Sequence, residues 1–138
     1  MFKKSIFAVV AVFVVWTALD YVIHQLILGP AYAATAQLWR PMEEIKMGLM
    51  TLVTLLAAIA FVAVYARLIG DKCLTKGLEY GFWFGFGAGV SMGYGMYSVT
   101  PISCFMASTW FIGSLVEALA AGLVTGLIVR QPNAAPQA

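Results

Sequence analysis

Between Met47 and Ala66 the chain carries no charged side chain, and the same holds from Tyr80 to Val99. A bilayer core of about 30 Å takes roughly 20 apolar residues per helical crossing, so each run is long enough to span one. Two further runs are nearly as apolar: Ser5 to Leu28 is interrupted by Asp20 and His24, and Phe105 to Val129 by Glu117. Runs of this length and continuity exclude the short alternating strands of a β-barrel. With 62% of 138 residues hydrophobic and 10% charged, there is too little polar surface to coat a water-soluble fold. The expected fold class is all-α: a four-helix transmembrane bundle with glycine-ladder packing and a short outer interfacial segment. One four-span membrane domain is expected over residues 1–130, with approximate spans 5–28, 47–69, 77–99 and 105–129, followed by a disordered tail at 131–138.

The distribution of basic residues sets an expected orientation. Lys3, Lys4, Arg67, Lys72, Lys76 and Arg130 fall on one side of a four-span arrangement, against Arg40 and Lys46 on the other. Both termini are therefore expected in the cytoplasm of a bacterial cell, in its inner membrane. Lys3 and Lys4 before an apolar core, with Ala31-Tyr32-Ala33 beyond it, also resemble a secretory signal, but that site lies too far past Leu19 for a usual cleavage region. The first span is expected to stay as an anchor. The net charge of +2 is a consequence of topology and gives no support for nucleic-acid binding, which needs a clustered basic face. Cys73 and Cys104 fall in loops on opposite sides of the membrane, so no internal disulfide is expected.

Gly77, Gly81, Gly85, Gly89 and Gly93 recur every fourth residue and form one ridge on a helix. In water each interior glycine costs about 0.5–1 kcal/mol relative to alanine, whereas in lipid the missing side chain lets another backbone approach closely. Ser114, Ala118, Gly122 and Gly126 repeat the pattern in the last span. The tight connection Thr100-Pro101-Ile102-Ser103 makes these two helices antiparallel neighbours, so the two ridges pack on each other, or the first ridge faces another protomer.

The connecting segments carry their own signals. Gly29-Pro30 is expected to end the first helix, and Tyr32 and Trp39, seven apart, to anchor a short segment in the outer headgroup layer. Pro41 suits the first turn of the next helix, with Glu43 and Glu44 at its positive end.

The intramembrane polar residues are the candidate ligand or proton site: Asp20, His24, Glu117 and Tyr97. An acid near the centre of a span costs about 2.5–3.5 kcal/mol on insertion scales, so it is kept only if partnered, hydrated or protonated. A rise of 1.5 Å per residue puts Asp20 roughly 12 Å and Glu117 roughly 18 Å from the outer span ends, close enough in depth to meet. Such a pair serves either as a proton-accepting or small-ligand site or as neutral hydrogen-bond pins between helices. Met92, Met96, Met106, Cys104 and His24 share the outer half, but without a CxxC or HxxxH pattern no metal site is expected. No nucleophile elbow, phosphate loop, dinucleotide fingerprint or haem motif is present, so neither catalytic residues nor cofactors are expected.

Leu19-Asp20-Tyr21-Val22-Ile23-His24, then Tyr32, then Leu38-Trp39-Arg40-Pro41, then Tyr97-Ser98-Val99-Thr100-Pro101 together resemble small uncharacterised four-span inner-membrane proteins of bacteria. The resemblance covers most of the chain and implies the architecture, with no catalytic residue to carry over. The expected function is that of a non-enzymatic accessory or assembly subunit acting through helix packing, in the lipid bilayer and in a homo-oligomer or larger membrane complex. The alternative is an oligomeric transporter or channel for protons, ions or a small solute, using Asp20, His24 and Glu117. A metal-binding protein or membrane enzyme is a third reading.

Overall fold

The computed structural model describes residues 1–131 and is built from helices and turns. Nearly all of the tail expected to be disordered lies outside the described residues. Helix α1 (Phe2–Asp20) runs on into a π-helical segment, Tyr21–Ile27, and is followed by a short α2 (Gly29–Ala34). Helix α3 covers Met47–Leu68, α4 Leu74–Gly89, and α6 Cys104–Ile128; between the last two lie a π-helical segment, Val90–Gly95, and a one-turn α5 (Met96–Val99). Three helices are long and apolar enough to cross a membrane: Phe2–Ile27, Met47–Leu68 and Cys104–Ile128. The glycine-bearing helix is not among them, because glycine, tyrosine and serine contribute little apolar surface to its composition.

Helix α1 sits between α3 and α6. Ala8, Val12 and Trp16 pack with Ala58, Phe61, Val62 and Tyr65 of α3 and with Ala121 and Val129 at the end of α6. In lipid there is no water to expel from such contacts, so dispersion and aromatic geometry must hold them. Phe61 supplies this with edge-on contacts to Trp16 at 5.5 Å and Phe84 at 5.0 Å, and a tilted contact to Tyr80 at 4.5 Å. Pairs of this kind are worth about 0.5–1.5 kcal/mol each beyond their area. Hydrogen bonds stitch the same end: Tyr65 donates to the Cys73 carbonyl at 2.8 Å, Tyr80 to the Phe61 carbonyl at 3.1 Å, and the Gln131 N–H to the Lys72 carbonyl at 3.0 Å.

Helix α4 lies antiparallel on α6 with its glycines turned inward. A Cβ on Gly77 would run into the Gly122 carbonyl oxygen, and one on Gly81 into that of Ala118. On Gly85 it would lie 2.7 Å from the Ala118 Cβ and 3.0 Å from the Ser114 oxygen, and on Gly89 2.8 Å from the Phe111 oxygen. Gly93 faces the Ala107 carbonyl, and Gly126 faces Cys73 and Gly77. The ridge thus lies against α6 of the same chain, while Phe82, Trp83 and Phe86 on the other side of α4 are exposed.

The end of the bundle that carries Tyr32 and Pro41 departs from the sequence expectation in two places. Pro41 does not open α3: its ψ of 149° is extended, Met42–Glu44 form a separate 3₁₀ turn, and α3 begins at Met47 with no acid in its first turn. Glu43, Glu44 and Lys46 remain in the exposed connection, and the regular helix begins where the apolar run does. Tyr32 and Trp39 are not outward anchors. Their rings meet at 5.2 Å and fold over Ile23, Leu28, Ile102 and Met106, because each polar atom finds a partner inside the bundle. The Ser103 hydroxyl caps α6 by accepting from the Met106 N–H at 3.2 Å.

Candidate functional site

Two turns of α6, from Ala107 to Ser114, are flanked on both sides by π-helical backbone. The Leu28 N–H bonds the Ile23 carbonyl five residues back, at 2.9 Å, and this widened turn carries Ile23 and His24. The other segment, Val90–Gly95, carries Met92. π-helical turns insert an extra residue per turn and recur at functional sites, where they re-aim a side chain the regular helix would point elsewhere. Here they line a cavity of about 150 Å³ together with Trp110, Gly113, Ser114 and Glu117. Gly113 keeps this face of α6 open, since a Cβ there would lie 3.0 Å from the Ile23 side chain.

Glu117 brings the only carboxyl in the cavity wall, and its Oε1 is buried without a conventional hydrogen-bond donor. Its neighbour is another acid, the Asp20 carboxyl of α1. Trp16 locks the register of the helices by donating its indole N–H to the Glu117 backbone carbonyl at 2.8 Å. Asp20 in turn faces His24, with Oδ1 3.9 Å from Nε2.

His24 is tied to the outer end of the fold. Its Nδ1 lies 2.7 Å from the Tyr32 hydroxyl, which accepts from the Trp110 indole N–H at 2.8 Å. The arrangement that uses every proton has Tyr32 donating to Nδ1, which leaves the ring proton on Nε2, facing Asp20. Burial pushes the Tyr32 hydroxyl above the usual tyrosine range, and the Trp110 N–H offsets part of that rise. Thr35 completes the cover by accepting from the Trp39 indole N–H at 2.9 Å. The result is a line of polar side chains, Trp110, Tyr32, His24, Asp20, Glu117, along one side of the bundle, with His24 and Asp20 partly exposed.

Of the four candidate site residues, Asp20, His24 and Glu117 come together. Tyr97 does not: it is exposed on α5, outside the cavity. Met92 lines the cavity, whereas Met96, Met106 and Cys104 lie elsewhere, and no group of three or more His, Cys, Asp or Glu suited to a metal ion occurs among the described residues. Tyr32, expected as an anchor, and Trp110, which no sequence pattern singles out, are neighbours of this cluster. No periodicity links them, because they are 78 positions apart and meet only through the turn at Gly29 and Pro30.

The cavity wall carries one acid, Glu117, and no lysine or arginine, and Asp20 adjoins Glu117 from outside the wall. Two carboxylates side by side in apolar surroundings are stable only with a proton or cation between them. No protein-family model matches the chain, and no curated protein and no solved structure matches it.

Proposed function

We propose that the chain is a four-span bacterial inner-membrane protein with both termini in the cytoplasm, and that it conducts protons, or exchanges a small cation for a proton, through the Asp20–Glu117 pair. The carrying observation is the unpaired Glu117 Oε1 in a cavity framed by two π-helical turns, with no fixed cation to neutralise it. A structural pin would be expected to end on a hydroxyl or indole donor, and here the Trp16 indole serves the Glu117 backbone carbonyl, the Trp110 indole serves Tyr32, and Tyr32 serves His24. The antiparallel pairing of Gly77 with Gly126 and of Gly93 with Ala107 supports a fourth crossing, since α4 and its continuation accompany α6 over most of its length. In that reading His24 and Tyr32 relay protons between the outer surface and Asp20.

The experiment is proton flux into liposomes containing the purified protein and an entrapped pH dye, driven by a potassium diffusion potential. Wild-type flux should exceed that of empty liposomes, and Asp20→Asn or Glu117→Gln should reduce it by at least about tenfold, the usual loss when a proton-transfer group is removed. Wild-type flux equal to the empty-liposome leak would end this reading.

One observation favours a second reading, an accessory subunit. The outer half of α3 carries exposed Met47, Leu49, Met50, Leu52, Val53 and Leu56. With the glycine ridge occupied by α6, this face is available to a membrane partner, and co-purification in mild detergent tests it.

A further inference from the structure

At the opposite end of the molecule, the turn between α3 and α4 and the first turns of α4 enclose a groove of about 390 Å³. It lies where the apolar helix Met47–Leu68 ends, which in the four-span reading is the boundary between hydrocarbon and water. Its walls are of two kinds. Leu68, Tyr80 and Trp83 make it apolar on the membrane side, with Trp83 64% exposed at the depth where indoles favour the interface. Asp71, Lys76 and Glu79 line the aqueous side.

The charges there are unevenly committed. Lys76 pairs with Glu79 at 2.7 Å. Lys72, the basic residue next to Asp71, is committed to backbone of the groove wall: its ammonium donates to the Ile69 carbonyl at 2.8 Å and the Gly70 carbonyl at 3.3 Å. Asp71 therefore has no ion pair among the described residues. The groove presents two carboxylates, one ammonium and an apolar wall, which complements a headgroup carrying a hydrogen-bonding cation and a phosphate on an acyl chain.

We propose that this groove binds an aminophospholipid of the phosphatidylethanolamine type, its ammonium between Asp71 and Glu79, its phosphate on Lys76 and an acyl chain along Leu68 and Trp83. A primary ammonium donates three N–H bonds to carboxylates, whereas a trimethylammonium donates none and a glycerol headgroup brings no cation to them. The site is independent of the Asp20–Glu117 pair.

The test uses the full chain in mild detergent, titrated with phosphatidylethanolamine, phosphatidylcholine or phosphatidylglycerol of identical acyl chains, and read by lipid retention in native mass spectrometry and by thermal shift. Phosphatidylethanolamine should bind more tightly than the other two, and Asp71→Asn should weaken it about two- to fivefold, the range of a partly exposed ion pair. Lys76→Gln should weaken phosphatidylethanolamine and phosphatidylcholine alike, since both present the phosphate. Free phosphoethanolamine should give no comparable shift, because it lacks the acyl chain. Equal binding of the ethanolamine and choline lipids by the wild type, a preference for phosphatidylglycerol, or an equal shift from free phosphoethanolamine would each overturn the proposal. So would an Asp71→Asn variant with undiminished preference. Asp71 is exposed and makes no ion pair within the described chain, so its replacement should not disturb folding.

Discussion

The Trp110 indole N–H donates to the Tyr32 hydroxyl at 2.8 Å, joining the start of α6 to the short helix that follows the first span. That single contact fixes Tyr32 over His24 and so decides which imidazole nitrogen faces Asp20. Replacing Tyr32 by Phe keeps the ring and removes the hydroxyl, leaving Trp110 and His24 each without a partner. The expected cost is about 1–3 kcal/mol, the penalty for stranding buried polar groups. Thermal unfolding in detergent measures it, and a melting temperature equal to that of the wild type would contradict the shared hydrogen bond.

Alkaline pH probes the same hydroxyl. Burial raises Tyr32 above its ordinary value of 10.0, so the folded state holds this proton more tightly than the unfolded state. The associated stability is fully present below pH 10.0 and is lost as pH rises through the folded value. Wild-type stability should thus fall more steeply above that pH than the stability of Tyr32→Phe, as followed by melting temperature against pH. Parallel curves would show that Tyr32 titrates as if exposed.

Gly81 and Gly87 offer an internal comparison on one helix. A Cβ on Gly81 runs into the Ala118 carbonyl, while a Cβ on Gly87 meets nothing within 4 Å. Gly81→Ala should destabilise the fold by about 1–3 kcal/mol, as overpacking does, because backbone cannot move aside as a flexible side chain can. Gly87→Ala should be neutral or slightly stabilising. Both are read by detergent unfolding, and the same result for the two variants would mean that α4 and α6 are not in contact.

Glu117 sets stability against function. Glu117→Leu removes a buried carboxyl from apolar surroundings and should raise thermal stability by about 1 kcal/mol or more, as when buried charged groups are replaced by apolar ones of similar volume. The same variant should carry no proton flux. A destabilised Glu117→Leu protein would mark the carboxyl as a structural pin.

The two cysteines report topology. Cys73 and Cys104 are both exposed and unpaired, one in the α3–α4 turn and one at the start of α6. In intact cells a membrane-impermeant maleimide should label Cys104 and reach Cys73 only after permeabilisation. Labelling of both from one side would refute the fourth crossing by α4.

The sequence by itself determined that this chain is helical and built for lipid, because runs such as Met47 to Ala66 leave the backbone no water to bond with and the helix satisfies every group locally. It also made the glycine spacing visible, since four-residue repeats map directly onto one helix face. The start of α3 was not legible: Pro41, Glu43 and Glu44 suit a helix start locally, yet Ile45 is extended and the helix forms only at Met47. Nor was the cover of Tyr32, Trp39 and Trp110, whose partners are set by tertiary contact and not by spacing. Tertiary structure alone decided that Glu117 meets Asp20 and that Tyr97 stays outside. Depth along a span follows from counting residues, but the facing of one helix toward another depends on how all the helices pack, and two π-helical turns at the site rotate side chains away from any regular count.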